Sequence, residues 1–167
     1  MEGAVTSYFH EEQRFAWPMW AVVALVAIPV VAYSAEIAMR DPARVLQFMF
    51  IPILFLLILA LLALARLDTD VDDRGVHVNF HLLWPARHIP LDDIERAHAM
   101  DYNPIFYGGW GVHYLFLRGW SFDAGGGHGV RIETRSGARV MIGSHRAAEL
   151  EAAIARAVAA RAGTPAP

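Results

Sequence analysis

Acidic residues at alternating positions are the first candidates for chemistry. Asp68, Asp70 and Asp72 have the spacing that opens an EF-hand calcium loop. Such a loop also needs glycine at its sixth position and glutamate at its twelfth, where this chain has Asp73 and Asn79. No flanking pair of helices is expected either. We therefore interpret the three aspartates as solvent-facing acids on a strand that leads into a turn, and we predict no calcium site.

Histidines are the second candidates, because the chain has eight of them. His77 and His81 are four residues apart, a spacing that brings two side chains together on a helix. On a strand the same spacing separates them by roughly 13 Å, whereas zinc holds its ligands at about 2 Å. The chain also has no cysteine, which excludes thiolate ligands. We predict no metal and no cofactor.

Neither phosphate binding nor nucleophilic catalysis has the sequence pattern that it requires. The glycine-rich segment 125–129 is followed by a predicted strand, whereas a phosphate-binding loop leads into the N-terminus of a helix. The chain has five serines but no G-x-S-x-G nucleophile elbow, and no serine–histidine–acid set is identifiable. We predict no catalytic residues and expect a protein that is not an enzyme.

The charge of the chain restricts its partners. The formal net charge is −3, which argues against nucleic-acid binding because a nucleic-acid binder needs a basic face. From residue 68 onward acids outnumber arginines, so this part has no overall attraction to anionic lipid. Arg131, Arg135 and Arg139 on one predicted hairpin are candidate contacts for an anion or a lipid headgroup. The alternative is that they form a solvated outer face.

A cluster of aromatic residues is the candidate surface for protein contact. The chain is dense in large aromatic side chains between residues 105 and 122. Exposed aromatic residues mark interfaces, and a domain this small has little interior to bury them. Packing onto the domain itself or onto lipid headgroups is the alternative. The candidate contact residues are Phe106, Tyr107, Trp110, Trp120 and Phe122.

Two apolar runs must hold these residues at a membrane. The runs cover residues 15–35 and 45–65, and neither contains a charged residue. A helix of this length is roughly 31 Å long, enough to cross a hydrocarbon core of about 30 Å. We predict a transmembrane hairpin over residues 15–66. Its expected anchors at the membrane interface are Trp17, Trp20, Arg14 and Arg66.

The flanking arginines indicate an orientation. Arg40 and Arg44 lie in the connection between the two runs, whereas Arg14, Arg66 and Arg74 lie on the side of the termini. The positive-inside rule therefore favours cytoplasmic termini. We expect an integral protein of a bacterial inner or intracytoplasmic membrane, and residues 1–14 are interpreted as an N-terminal interfacial segment.

The pattern changes after the second apolar run to short strands with alternating apolar residues. Val76, Val78 and Phe80 alternate with polar residues, and about seven such strands follow one another with turns at close intervals. A helix then follows, with Ser144 as its expected N-cap. Its predicted apolar stripe is Leu150, Ile154 and Val158, and Gly163 and Pro165 mark its predicted end. We predict a domain over residues 67–162 and a tail over 163–167.

A set of short motifs in this domain resembles a bacterial family of small membrane proteins with domains like the pleckstrin-homology (PH) domain. The motifs are Tyr102-Asn103-Pro104, Gly108-Gly109-Trp110-Gly111, Gly129-Val130, Ile142-Gly143-Ser144 and Glu149-Leu150. The resemblance implies a membrane α-helical hairpin plus a mainly-β PH-like barrel of about seven strands with a C-terminal helix. The chain departs from the family pattern at His113, where an arginine is expected, and at residues 115–117, where a more polar segment is expected.

An anchor and an aromatic-rich small domain without recognisable catalytic residues together predict a non-catalytic role. We expect a scaffold or accessory subunit of a larger membrane protein complex, with membrane lipids as further partners. Photosynthetic and respiratory assemblies contain small subunits of this kind and are the expected hosts. The alternative is a PH-like module that binds lipid or a small ligand at the membrane surface.

Overall fold

The computed structural model describes residues 6–41 and 45–163, and within the second range the side chains from residue 49 onward. The chain divides into two units. One unit is helical and covers Phe15–Ala65. The other unit, the β domain, consists of the segment before Phe15 and the segment after Ala65. The predicted tail beyond residue 163, the predicted helix end at Pro165 and the loop residue Arg44 lie outside the described residues.

The helical unit consists of α1 (Trp17–Arg40) and α2 (Val45–Leu64). Helix α1 extends past the predicted end at residue 35, and an ion pair between Arg40 and Glu36 one turn earlier stabilises its last turn. Among the helices of the described residues, α1 is long and apolar enough to cross a membrane. The described apolar stretch of the second helix, Met49–Leu64, is shorter than such a span.

The N-terminal residues form a strand, which corrects the prediction of a separate interfacial segment. Strand β1 (Ser7–Arg14) pairs antiparallel with β2 (Arg66–Asp72), with Glu11 opposite Thr69. Its inward side chains are Phe9, Glu11 and Gln13. The Gln13 amide donates a hydrogen bond to the Gly143 carbonyl at 2.8 Å, which compensates for burying a polar side chain.

The first sheet has the order β1-β2-β3-β4 and every neighbouring pair is antiparallel. Its last two strands are β3 (Gly75–His81) and β4 (Arg87–Pro90). The tight turn between β2 and β3 is held by Asp72, whose Oδ1 accepts the N–H groups of Arg74 and Gly75 at 2.8 and 2.9 Å. Burial raises the pKa of Asp72, but these two hydrogen bonds and the neighbouring His77 together outweigh it and lower that pKa below its ordinary value.

The second sheet has the order β5-β8-β9-β7-β6, in which β7 and β9 are parallel and the other neighbours are antiparallel. Its strands are β5 (Ile94–Asp101), β6 (Gly111–Leu115), β7 (Gly119–Asp123), β8 (His128–Thr134) and β9 (Arg139–Gly143). The described residues therefore form nine strands in two sheets, not a barrel of about seven. The prediction of a closed barrel was wrong, because each sheet ends in two edge strands with no partner strand beyond them among the described residues.

Helix α3 (Ala147–Gly163) packs its apolar face onto the strands. The buried stripe is Leu150, Ala153, Ile154 and Ala157. It includes two alanines that were not predicted, whereas Val158 of the predicted stripe is only half-buried. The Ser144 hydroxyl accepts the Arg146 N–H at 3.0 Å in the turn before α3, although the helix begins at Ala147, two residues later than an N-cap at Ser144 predicts. The fully buried side chains of the strands form the rest of the core, among them Leu67, Val78, Phe80, Phe122, Val130, Ile132, Val140 and Ile142.

Candidate functional site

A segment after β5 folds over the outer face of the second sheet. This cover segment, residues 102–110, contains the short 3₁₀ helix Pro104–Tyr107, which Asn103 caps by accepting the Ile105 N–H at 3.0 Å. Tyr102 and Tyr107 pack edge to face with ring centres 5.1 Å apart. Both rings lie in a buried cluster with Met141, and Met100 and Leu115 are packed against it. The sheet is therefore covered on this side by aromatic residues.

A cluster of polar side chains, the polar cluster, lies beneath the cover segment. Asp123 is fully buried, and its Oδ1 accepts the Gly125 N–H at 2.8 Å. Four atoms of the cluster have no hydrogen-bond partner among the described residues: Asp123 Oδ2, Tyr102 Oη, Ser121 Oγ and His113 Nδ1. Burial raises the pKa of Asp123 above its ordinary value. Burial, and then the neighbouring Asp123 carboxylate, raise the pKa of Tyr102.

Two arrangements that would give the polar cluster a chemical role are not found among the described residues. None of its carboxyl or imidazole groups belongs to a metal-holding set, because no three His, Asp or Glu side chains in the described part of the chain are arranged around one point. Ser121 Oγ has no hydrogen bond to a histidine that would activate it as a nucleophile.

Three glycines of the short motifs in this domain make room for this arrangement. A Cβ at Gly129 would lie 2.4 Å from the Ile142 carbonyl oxygen and 3.0 Å from the Tyr102 ring. A Cβ at Gly143 would lie 3.0 Å from both Asp123 Oδ1 and Tyr102 Oη. At Gly108 the obstacle is the His113 ring, at 2.8 Å. These three glycines therefore leave the space that the Tyr102 and His113 side chains occupy.

An exposed apolar tip adjoins the cover segment. It consists of Ile105 and Phe106, with 79% and 66% of their surface exposed, and Phe116 and Leu117 in the β6–β7 turn, with 90% and 78% exposed. Arg118 joins the two halves, because its Nη1 donates to the Phe106 carbonyl at 2.9 Å and its guanidinium lies 4.8 Å from the centre of the Tyr107 ring. Arg118 therefore holds the two loops of the apolar tip next to each other.

The predicted contact aromatics divide between surface and interior. Phe106 is exposed, and Trp110 and Trp120 are half-buried. Tyr107 and Phe122 are buried, which corrects their prediction as surface contacts. Their burial is explained by the inward-facing β7 position of Phe122 and by the packing of Tyr107 on Tyr102. Phe116 and Leu117 were noted in the sequence for their apolar character but were not predicted as contacts, because their exposure depends on the position of the β6–β7 turn.

The predicted arginine patch is partly neutralised. Arg131 and Arg139 both approach the same carboxylate, that of Glu133, at 3.5 and 4.0 Å. Arg135 lies in the turn after β8, where its N–H donates to the Asp93 carbonyl at 2.7 Å. Arg139 also lines a groove together with Arg87, whose guanidinium lies 5.4 Å from the centre of the Trp120 ring. Arg87 was not among the predicted contacts, because its pairing with Trp120 joins the two sheets.

The outer face of the first sheet carries paired histidines and aspartates. His10 pairs with Asp70 at 2.5 Å, and His81 pairs with Asp68 at 2.7 Å. The hydrogen bond and charge of Asp70 raise the pKa of His10 above its ordinary value. Arg66 Nε lies 3.5 Å from Asp68, and a cation beside the carboxylate opposes metal binding there. The aspartates therefore contact histidine and arginine side chains on a strand face.

The predicted anchors lie where the two units of the chain are joined along the sequence. Arg14 ends β1 and Arg66 begins β2, and they are direct partners in the antiparallel register. Both approach Glu12, at 3.8 and 3.7 Å. Trp17 begins α1 and is exposed, whereas Trp20 is half-buried.

Comparison with known proteins gives no relative from which a function can be transferred. No protein-family model matches the chain. Neither a curated protein nor a solved structure is similar to it at a significant level. Its function must therefore be argued from its own residues.

Proposed function

We propose that the chain is a non-catalytic, membrane-anchored accessory subunit that contacts a larger membrane protein complex through its apolar tip. The observation that carries the proposal is the tip itself. Four large apolar side chains are exposed on two neighbouring loops, and an arginine holds the loops together. Contiguous exposed apolar surface marks interaction sites, and aromatic residues and arginine are enriched at interface centres.

The exposed helices support the membrane anchor. Only 6% of the apolar window in α1 is buried, whereas the core helix of a soluble protein is mostly buried. Large side chains of both helices are open to the surroundings, such as Leu25 at 75% and Leu57 at 66%. Unsatisfied apolar surface on this scale is stable in the hydrocarbon of a bilayer and not in water.

The pairing of β1 with β2 supports two membrane crossings. These strands precede and follow the helical unit, and they are hydrogen-bonded along their length. Paired strands lie on the same side of any membrane, so the chain between them crosses an even number of times. If α1 crosses, α2 must cross as well; its 20 residues would extend about 30 Å. With the arginine distribution, this favours both termini in the cytoplasm of a bacterium.

The strand order also supports a PH-like ancestry for the β domain. Strands β1 to β4 form one meander, and β5, β8 and β9 form a second one that α3 follows. These are seven strands in two sheets and a C-terminal helix, with β6 and β7 added at one edge of the second sheet. In this proposal the helical hairpin is an insertion between the first two strands of such a domain.

Membrane topology can be tested with single cysteines, because the natural chain has none. We expect Asp41→Cys, after α1, to react with a membrane-impermeant maleimide on intact bacterial spheroplasts. Asp73→Cys, in the β2–β3 turn, should react only after lysis. Labelling of both positions on intact cells, or of neither, would contradict a two-span anchor with cytoplasmic termini.

Partner contact can be tested by gentle-detergent purification of the natively expressed chain, followed by mass spectrometry. We expect stoichiometric recovery with one membrane complex, a photosynthetic or respiratory assembly in this proposal. Phe106→Asp should abolish that recovery. Ala155→Asp adds the same charge on an exposed face of α3 and should leave recovery intact. Purification of the natural chain alone as a stable monomer would show that it is not an accessory subunit.

The alternative function, a lipid- or small-ligand-binding module, rested on Arg131, Arg135 and Arg139. The shared carboxylate of Glu133 reduces the positive charge of two of them. This arrangement favours protein contact over lipid or small-ligand binding as the main role of the domain.

A further inference from the structure

Side chains of helix α3 bond to two of the four sheet edges. On β1, the Arg146 guanidinium donates a hydrogen bond to the His10 carbonyl. On β5, the Glu151 carboxylate accepts the Ala99 N–H at 3.1 Å. Both backbone groups belong to edge strands, so α3 occupies positions that a further strand would use. These contacts hinder the addition of a strand to β1 or to β5.

A third edge, that of β4, carries a proline and an arginine. Pro90 ends this four-residue strand, and proline has no backbone N–H to offer to a neighbouring strand. Arg87 begins the strand and places its guanidinium over the Trp120 ring. Proline and charged residues are means by which natural sheets protect an edge from pairing. Strand β4 is therefore a poor partner for a further strand.

The edge of β6 has none of these features. The strand contains no proline, arginine or acidic residue. It pairs with β7 without a register shift, whereas the pairings of β1 and β5 each contain one. Within residues 6–41 and 45–163, no side chain forms a hydrogen bond with the backbone of β6. A regular, uncharged edge of this kind can accept an extended segment of another protein.

The charge around β6 indicates which segment it accepts. Residues 102–122 contain one arginine, Arg118, and no aspartate or glutamate. Arg118 contacts the Phe106 carbonyl and the Tyr107 ring, but no carboxylate in the part of the chain that the structure describes. A second copy of the chain, paired through β6, would add another arginine and no acid. A partner segment with a carboxylate would instead complement the charge of Arg118.

The apolar tip defines the rest of the partner's chemistry. Phe116 and Leu117 directly follow β6, and Tyr114 within the strand is 61% exposed. A segment that lies along β6 therefore passes Tyr114 and reaches the tip, where apolar side chains would be buried.

We propose that the partner complex adds an extended segment to β6 as a sixth strand of the second sheet. This segment has apolar residues at alternate positions and a carboxylate beside Arg118. The inference rests on the proposed function and specifies how the partner is bound. Side-chain contact at the tip alone would not involve the backbone of β6, so the two binding modes can be distinguished.

Hydrogen exchange measured by mass spectrometry compares the recovered complex with the chain purified alone in the same detergent. We expect the amides of β6 to exchange about tenfold more slowly in the complex, because the added strand accepts their hydrogen bonds. The amides of β4 are the control and should exchange at the same rate in both samples. A complex that forms without protecting β6 would overturn strand addition and leave the accessory-subunit proposal standing. Absence of any complex would contradict the accessory-subunit proposal, and this inference with it.

Replacement of single backbone amides by esters separates strand pairing from side-chain contact. The α-hydroxy analogue of Tyr114 or of Leu115 removes one N–H and keeps the side chain. Neighbouring N–H groups of a strand point in opposite directions, so one ester affects the free edge and the other affects the pairing with β7. We expect the ester at the free edge to weaken the complex by about two- to tenfold without destabilising the chain. Full affinity of both esters would overturn the proposal.

Variants of Arg118 test the predicted carboxylate. We expect Arg118→Glu to weaken the complex by about tenfold and Arg118→Lys, which keeps the charge, to retain most of the affinity. Arg156→Glu reverses an exposed charge on α3 and is the matched control, with unchanged affinity. Equal losses in Arg118→Glu and Arg118→Lys, or no loss in either, would refute an acidic partner segment.

A single cysteine tests whether a second copy of the chain occupies the edge. The natural chain has no cysteine, so Tyr114→Cys reports contacts of β6 alone. We expect a cysteine-reactive crosslinker to join this position to a different chain of the complex, and the Arg118→Glu change should reduce that product. Crosslinking of two copies of this chain through position 114 would identify a homodimer and overturn the proposal.

Discussion

The carboxylate of Glu11 accepts a hydrogen bond from the Ser144 hydroxyl at 2.5 Å. The same carboxylate accepts the His145 N–H at 3.1 Å, so a buried acid on β1 occupies the entrance of α3. Negative charge at the N-terminus of a helix is favourable. The first strand and the last helix of the domain are thus joined by an interaction between residues distant in the sequence.

Removal of this carboxylate should destabilise the β domain. Glu11→Ala leaves the Ser144 hydroxyl and the His145 N–H without their acceptor in a buried site. We expect a loss of about 2 kcal/mol in the free energy of unfolding, measured by denaturant titration in detergent. Glu149→Ala, an exposed acid of α3, is the control and should change stability little. A double-mutant cycle with Ser144→Ala should show coupling between the two sites, and additive effects would contradict it.

Asp123 should make the domain less stable as pH rises, which is the opposite of the usual effect of a carboxylate. Its pKa is raised by burial, so the folded state binds more protons than the unfolded state between the two pKa values. Stability from this residue is therefore full below the ordinary pKa of 3.8 and is lost as pH rises through the raised pKa.

The substitution Asp123→Asn removes that titration and keeps an oxygen for the Gly125 N–H. We expect the variant to be more stable than the natural chain near neutral pH and to lose this advantage in acid. Denaturation at several pH values measures the difference. A constant difference across the pH range would exclude titration of Asp123 as its origin.

Asp70 should control the titration of His10 on the exposed face of the first sheet. Asp70 raises the pKa of His10, so Asp70→Asn should return it toward 6.5. NMR of the histidine ring measures the shift, and Asp73→Asn in the neighbouring turn is the control. The stabilising effect of the pair is present below pH 6.5 and is lost as pH rises through the raised pKa. It should be small, under about 1 kcal/mol, because both groups are exposed.

Gly129 should not tolerate a side chain. Gly129→Ala places a Cβ against the Ile142 carbonyl and the Tyr102 ring, so either β9 or the cover segment must move. We expect destabilisation of about 1–3 kcal/mol by denaturant titration. At Gly163 a Cβ meets nothing within 4 Å, and Gly163→Ala is the control with little expected loss. Equal stability of both variants would refute the close packing of Tyr102.

Local patterns in the sequence predict much of this domain. Strand β3 alternates apolar and polar residues, the Asp72–Gly75 turn follows known turn chemistry, and α3 has an apolar stripe. These features depend on neighbours in the chain, so their signals are visible without a structure.

The missed features depend on distant residues. Strand β1 faces Glu11 and Gln13 inward, and a buried polar strand has no apolar alternation. Hydrogen bonds join Glu11 to Ser144 and His145, and the Gln13 amide to the Gly143 carbonyl, at the other end of the domain. The parallel pairing of β7 with β9 and the stacking of Arg87 on Trp120 likewise leave no local pattern. The groove was therefore not predictable from spacing.

The register that places Arg14 opposite Arg66 has a consequence for biosynthesis. Strand β1 leaves the ribosome first, but its partner strand follows only after the whole of residues 15–65. The N-terminal strand therefore has no partner strand until both helices have been synthesised. In the proposed membrane-anchored protein, completion of the first sheet follows insertion of both helices, and a chain whose helices fail to insert would keep an open sheet edge that cellular quality control can recognise.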